Sequence, residues 1–285
     1  MRVVALIENT KPEDREELIA EHGLALYIEQ DHRRILFDTG ATGAFAHNAQ
    51  KLGVNLEDVD AVVISHHHYD HGGGLACFTE ENRKAKIYLR KSNEEDYCFR
   101  AFGVVGKYIG LDQSLLQQQA DRFEFIDCFT EIIPSVYILT DIPQHYARPK
   151  RNRRLCMKQG GRYVPDRFQH ELIMVIREEA GLIVFTGCAH NGILNMIEAV
   201  KRQFKNEPIR AVFGGFHLAG SPTLNIMAES QKDIKKIGEK LLTYSVGQVY
   251  TGHCTGKRAS DILKQVMGDQ LEYFATGSEA VLGSR

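Results

Sequence analysis

The sequence predicts a layered α/β fold built on mixed sheets. Three observations lead there. Short β-branched apolar runs alternate with helical stretches in the first and last thirds of the chain, antiparallel hairpins are interleaved with them, and 43% of the 285 residues are hydrophobic against 25% charged. That balance supports a sizeable core. Length alone fits one large domain or two small ones; the chain is read as a single domain over 1–285 with an insertion or lid over roughly 79–165.

"VVALIE" (Val3–Glu8) is apolar and β-branched, a strand. "LALYIEQ" and "RILFDTG" are two more, joined by the polar turn "DHR" as a hairpin. "GAFAHNAQKLG" (Gly43–Gly53) has helical spacing and stops at a glycine. "DAVVIS" (Asp60–Ser65) is a short buried strand. After an aromatic-rich middle that includes the basic run "RPKRNRR", "ELIMVIREEAGLIVFTG" reads as strand, turn and strand. "ILNMIEAVKRQF", "MAESQKDIKKIGEKLL" and "RASDILKQVM" are helices, with strands "IRAVFGG" and "QVYTGH" between them.

The formal net charge of −2 gives no global basic field to attract nucleic acid or an anionic membrane. No apolar run approaches the ~20 residues that span a bilayer. Glu8 interrupts the N-terminal apolar stretch before a signal sequence could finish, so a cytoplasmic protein is expected. The six cysteines are scattered without a CxxC pair, which argues against an iron–sulfur cluster, a structural zinc site or a disulfide framework. The sequence sets no oligomeric state.

"ISHHHYDHGGGL" (Ile64–Leu75) carries the chemistry. Neutral imidazoles and a carboxylate are ligands for zinc, and also for iron or manganese. His66 and His68 lie two apart, so an extended chain points both to one side. Asp70 and His71 come after the chain turns and can face a second ion. Gly72, Gly73 and Gly74 are expected to allow a sharp backbone turn and to leave room for substrate. The plainer reading is an incidental metal-binding tract; the preceding buried strand speaks against it.

"HHHYDH" resembles the HxHxDH signature of the metallo-β-lactamase superfamily, and "LFDTG" (Leu36–Gly40) resembles its early strand-turn. The resemblance covers essentially the whole chain. It implies a four-layer αβ/βα sandwich, with Asp38 supporting the metal loop from behind. "FTGCAHNGI", "FGGFHLAG" and "YTGHCTGK" each place a histidine after an apolar run. By the resemblance, His66, His68 and His190 hold one ion, and Asp70, His71 and His253 a second. His217 is expected to contact substrate or stand behind the ligands. Many members carry a bridging aspartate in a "TGD" context, where this chain has Cys188; its thiolate either ligates or is simply small and buried.

The phrases "GCAHNGILN" and "GHCTG" are similar to a branch of metal-dependent hydrolases that includes archaeal dihydropterin ribofuranosylaminobenzene-phosphate synthase-like proteins. The expected function is hydrolysis of a small phosphorylated or ester-like substrate by hydroxide generated at a divalent ion, with Asp70 orienting the water. The metal expected is zinc, one or two ions per chain, with iron, manganese or magnesium as other choices. The same ligand set also serves a dihydropterin diphosphate-dependent transferase. Arg148, Lys150, Arg151, Arg153 and Arg154 are read as a loop, because Pro149 lies among them. That loop either contacts an anionic small-molecule substrate or is a solvated surface. His145 and Tyr146 can stack on an aromatic ring. Rival readings are an RNA phosphodiesterase, disfavoured by the missing basic docking arm, and a non-catalytic metal-binding protein. A flavin-coupled diiron oxidoreductase would carry glutamate in place of His68.

Overall fold

The computed structural model describes residues 1–92, 96–101, 104–221 and 226–283. The chain divides into two compact units. The first comprises Met1–Ile126, Cys156–Val164 and Phe274–Gly283; the second comprises Asp127–Leu155 and Pro165–Tyr273.

In the first unit, β1 (Arg2–Ile7), β2 (Ala25–Gln30), β3 (Arg33–Phe37), β4 (Ala61–Ile64), β5 (Lys86–Arg90), β8 (Phe123–Ile126) and β20 (Glu279–Val281) form a seven-stranded sheet. Its order is β20-β1-β2-β3-β4-β5-β8. Pairing is antiparallel from β20 to β3 and parallel from β3 to β8. The expected hairpin joins β2 to β3, with Gln30 facing Arg33 and Asp31 in the left-handed region at φ 53°. β4 is buried at every position, so it reads as a continuous apolar run rather than an alternating one.

The helices here are α1 (Ala44–Lys51), α2 (Tyr69–Gly72), α3 (Leu75–Glu81) and α4 (Gln113–Gln118). Phe45 of α1 and Phe78 of α3 cluster with Val4, Leu36, Val62 and Ile64, alternate residues on one face of the sheet. Burying each phenylalanine contributes about 1.5–3 kcal/mol. Asn48 ties α1 down: its Nδ2 donates to the carbonyls of Leu6 and Ile19, each at 2.7 Å.

In the second unit, β9 (Thr130–Ile133), β10 (Val136–Leu139), β13 (Ile173–Glu178), β14 (Gly181–Thr186), β15 (Ile209–Phe213), β18 (Gln248–Thr251) and β19 (Leu271–Tyr273) form another seven-stranded sheet. Its order is β19-β18-β15-β14-β13-β10-β9. Pairing is parallel from β19 to β14 and antiparallel from β14 to β9. Helices α5 (Ile193–Gln203), α6 (Gln231–Thr243) and α7 (Lys257–Met267) cover the face lined by Val175, Val184, Val212 and Val249. Each unit is thus a mixed sheet with a helical layer on one face, the α/β architecture expected. Helix α6 begins later than its sequence pattern suggests. Ser230 caps it by accepting the Asp233 N–H at 3.1 Å, and Met227 belongs instead to the short strand β17 (Ile226–Met227), which pairs with β16 (Ala219–Ser221).

The stretch 79–165 supplies β5 and β8 to the first sheet and β9 and β10 to the second. Its remaining strands, β6 (Tyr97–Ala101), β7 (Val104–Tyr108), β11 (Leu155–Gln159) and β12 (Arg162–Pro165), make a four-stranded sheet. The basic run is not the loop expected: Lys150–Arg154 forms a 3₁₀ turn. Pro149 precedes its first residue, where the missing N–H costs nothing.

The glycines after the histidine cluster also act differently from expectation. Gly73 and Gly74 sit at φ −67° and −77°, ordinary right-handed values, so no unusual turn requires them. Space does. A Cβ on Gly73 would lie 2.2 Å from the Ala41 carbonyl oxygen, and one on Gly74 would lie 2.3 Å from that of Thr39. The room they leave is filled by the 39–42 backbone rather than by substrate. Gly73→Ala is expected to cost about 2–3 kcal/mol, because backbone must move. A denaturant titration reads this directly, and an unchanged midpoint would refute the packing argument.

Candidate metal centre

In both sheets the candidate ligands follow the carboxyl ends of strands in the parallel half. Asp38 comes after β3, His66 after β4, Cys188 after β14, His217 after β15 and His253 after β18. Open α/β sheets bind ligands at that end.

In the first unit the chain leaves β4 extended through His68 (φ −90°, ψ 146°) and then enters the single turn α2, which carries Asp70 and His71. His66 and His68 come together as expected, ring centroids 4.6 Å apart, and His66 and His71 lie at 4.1 Å. All three rings are buried. Asp38, wholly buried and left-handed at φ 60°, organises this loop. Its Oδ1 accepts the Ser65 N–H at 2.7 Å; its Oδ2 accepts the Ser65 hydroxyl at 2.8 Å and His71 Nδ1–H at 2.6 Å. Because the Ser65 hydroxyl donates to Asp38, the Ser65–His66 contact of 2.9 Å has His66 Nδ1 as donor. Both imidazoles therefore carry the proton on Nδ1 and present the Nε2 lone pair. Metal-binding histidines are commonly oriented in this way. His67 is turned elsewhere and donates from Nε2 to the Arg90 carbonyl at 2.8 Å. His22, not anticipated from sequence, lies with Nε2 3.2 Å from Asp70 Oδ2.

In the second unit Cys188, His190, His217, His253 and Cys254 are all buried. Cys188, His190 and His217 form one group whose ligand atoms lie within 4.8 Å of one another; Cys188, His253 and Cys254 form another on the same criterion. His217, expected to stand behind the ligands or touch substrate, is thus inside a candidate ligand group. Neither of its ring nitrogens has a hydrogen-bond partner among the described residues, and burial lowers its pKa. Burial works to raise the Cys254 thiol, but the neighbouring Cys188, His217 and His253 outweigh it and hold the thiol well below its ordinary value.

A buried carboxylate organises this loop too. Glu171 accepts the N–H groups of His190 at 2.7 Å and Asn191 at 2.8 Å, and the Asn191 side-chain amide at 2.8 Å. Burial pushes Glu171 up to about 7 even against those donors. Phe168 stacks on His190 at 4.4 Å. Asn152, in the middle of the basic run, donates to the His190 carbonyl at 2.7 Å and accepts from His190 Nδ1–H at 3.1 Å, again leaving Nε2 to ligate.

The second unit also holds a cavity of about 460 Å³, lined in part by Phe216 and Leu218, the chain neighbours of His217. Ile193, Phe216, Leu218 and Ile237 line it, with Arg148 and Arg153 among its polar residues. The rest of the basic run is disposed otherwise. Lys150, also on the cavity wall, pairs with Glu229 at 2.8 Å and Asp233 at 2.9 Å. Arg151 donates to the Ala219 carbonyl at 3.2 Å. Arg154 is exposed and does not line the cavity. His145 meets Glu198 at 2.5 Å, and Tyr146 bonds the Tyr244 hydroxyl at 2.7 Å.

Residues 19–95 match the sequence profile of the metallo-beta-lactamase superfamily. The crystal structure of a metal-dependent hydrolase of the beta-lactamase superfamily superposes with a TM-score of 0.82 at 30% identity, covering 100% of both chains. This chain belongs to the metallo-β-lactamase superfamily. It is 28% identical over 272 residues, 90% of this chain and 89% of the relative, to the 7,8-dihydropterin-6-methyl-4-(beta-D-ribofuranosyl)-aminobenzene-5'-phosphate synthase of Methanocaldococcus jannaschii. It is also 46% identical over 165 residues to the anti-Pycsar protein Apyc1 of Saccharibacillus brassicae, across 54% of this chain and 65% of that protein. Among the described residues no helix is long and apolar enough to cross a membrane.

Proposed function

We propose that this chain is a metal-dependent hydrolase of a small phosphorylated or ester-like molecule. His66, His68 and His190 serve as ligands of one ion, and Asp70, His71 and His253 as ligands of a second. The observation that carries the reading is the Asp38 carboxylate, which fixes Ser65 and His71 so that the His71 Nδ1 proton is spoken for. A bound divalent ion, zinc by the donor set, lowers the pKa of water and polarises the oxygen under attack.

The chain's own residues do the rest. Asp38 and Asn152 hold protons on Nδ1 of His71 and His190. His22 steadies the Asp70 carboxylate, to which this reading gives the task of orienting water. Arg148 and Arg153 offer charge to an anionic group, while the apolar lining of the cavity takes an organic body. The name of the superposing hydrolase supports this reading.

A second reading is a phosphate-bearing synthase or transferase. The named synthase relative, matched across 90% of this chain, favours it. The two separate by product. Hydrolysis incorporates oxygen from isotopically labelled water; transfer requires an organic acceptor. The test is zinc uptake, together with turnover of aryl phosphodiesters and diphosphates, by wild type and His68→Ala. The variant is expected to lose metal and at least ~100-fold in rate, with an unchanged thermal midpoint. Undiminished metal content in His68→Ala overturns the assignment.

A further inference from the structure

The second unit brings two sulfurs to the histidines. Cys188 is the member common to its two candidate ligand groups, one with His190 and His217 and the other with His253 and Cys254. We infer that Cys188 and Cys254 ligate the metal as thiolates, with Cys188 shared between the two groups. This rests on the metal-dependent reading above and deepens it.

Three observations point the same way. The first is His217, 4% exposed with both ring nitrogens lacking a hydrogen-bond partner among the described residues. Buried polar atoms are rarely left so, and an ion shared with Cys188 and His190 would satisfy one of them. The second is the setting of Cys254. Its Sγ accepts the backbone N–H of His217 at 3.3 Å, which fixes the sulfur against the loop after β15. A Cβ on Gly215 would lie 2.4 Å from that sulfur, so the facing backbone is cleared for it. The third is backbone strain. Ala189, His217 and His253 all lie in the left-handed region, at φ 51°, 54° and 49°. Residues with a Cβ occupy that region at a cost, and such cases gather at functional sites.

The hydrogen-bond framework shows how these loops are held. Thr255 accepts the Phe216 N–H at 2.9 Å and contacts the Thr251 hydroxyl at 2.6 Å, tying the loop after β15 to the loop after β18. The Cys254 thiol donates to the Cys188 carbonyl at 3.5 Å. Ligation breaks both S–H bonds, and the two protons leave to solvent as the metal–sulfur bonds form. Thiolates select zinc or ferrous iron over magnesium or manganese.

The test is X-ray absorption at the zinc edge on the full chain loaded with zinc. A sulfur shell at about 2.3 Å is expected beside the nitrogen and oxygen shell at about 2.0–2.1 Å. Cys254→Ser and Cys188→Ser should each weaken the sulfur shell, and the double variant should abolish it, with circular dichroism reporting the fold. The wild-type spectrum decides even if a variant misfolds. Zinc bound with light-atom scatterers alone overturns this inference and leaves the hydrolase reading standing. A wild-type chain that takes up no metal overturns both.

Discussion

Asp38→Asn is expected to lower zinc affinity by about 10–100-fold while leaving the chain folded. The carboxylate has one oxygen on the Ser65 N–H and the other on both the Ser65 hydroxyl and His71 Nδ1–H. An amide of the same shape keeps one acceptor and turns an NH₂ group toward a donor. The least costly escape is for His71 to move its proton to Nε2, which removes the lone pair that would ligate. Asn also tolerates the left-handed backbone at φ 60°. Asp38→Ala should behave differently. It strands three donors in a wholly buried site at about 1–3 kcal/mol each, partly offset by removal of a buried charge, for a net loss of about 2–4 kcal/mol. Chelator competition measures the first effect and thermal unfolding the second. Zinc affinity in Asp38→Asn within twofold of wild type would sink the argument.

Glu171→Ala should be the more damaging to the fold. Two backbone N–H groups and the Asn191 amide converge on this carboxylate, which is completely buried. Truncation leaves all three donors facing a void, a loss on the order of 3–5 kcal/mol. His190 should then lose its fixed position, so zinc affinity falls as well. Glu171→Gln separates the two effects: it fills the space but sets its own N–H₂ against N–H donors. Urea denaturation of both variants checks the order, with Ala and Gln both clearly below wild type. Equal stability of all three chains would mean that water substitutes for the carboxylate.

The histidine cluster and the strand that delivers it were legible because each is local, whereas Asp38, 27 residues from Ser65, was reached only through the family resemblance. The run Ala61–Ile64 is apolar throughout, and the spacing of His66 and His68 acts through a strand's period of two. Cys254 and His22 were missed for the opposite reason. Each owes its place to a residue distant in sequence, His217 for Cys254 and Asp70 for His22. Glu171 could have been suspected as a carboxylate two residues before the buried apolar run Ile173–Ile176. Asn152 could not, since five cations around it dominate the pattern "RPKRNRR". The glycine triplet misled because sequence shows that Cβ is absent but not whether conformation or close approach demands it. Here close approach of the 39–42 backbone does.

Ala189, His217 and His253 hold left-handed backbone conformations without being glycine. Each is an open opportunity for a mutation that a heat-based selection would reward, because glycine accepts that geometry without the cost of about 1–3 kcal/mol. At two of the three, His217 and His253, the rewarded change deletes a candidate ligand. Directed evolution for thermal tolerance alone would therefore tend to drift toward a sturdier and inert protein, and a useful screen has to demand turnover in every round.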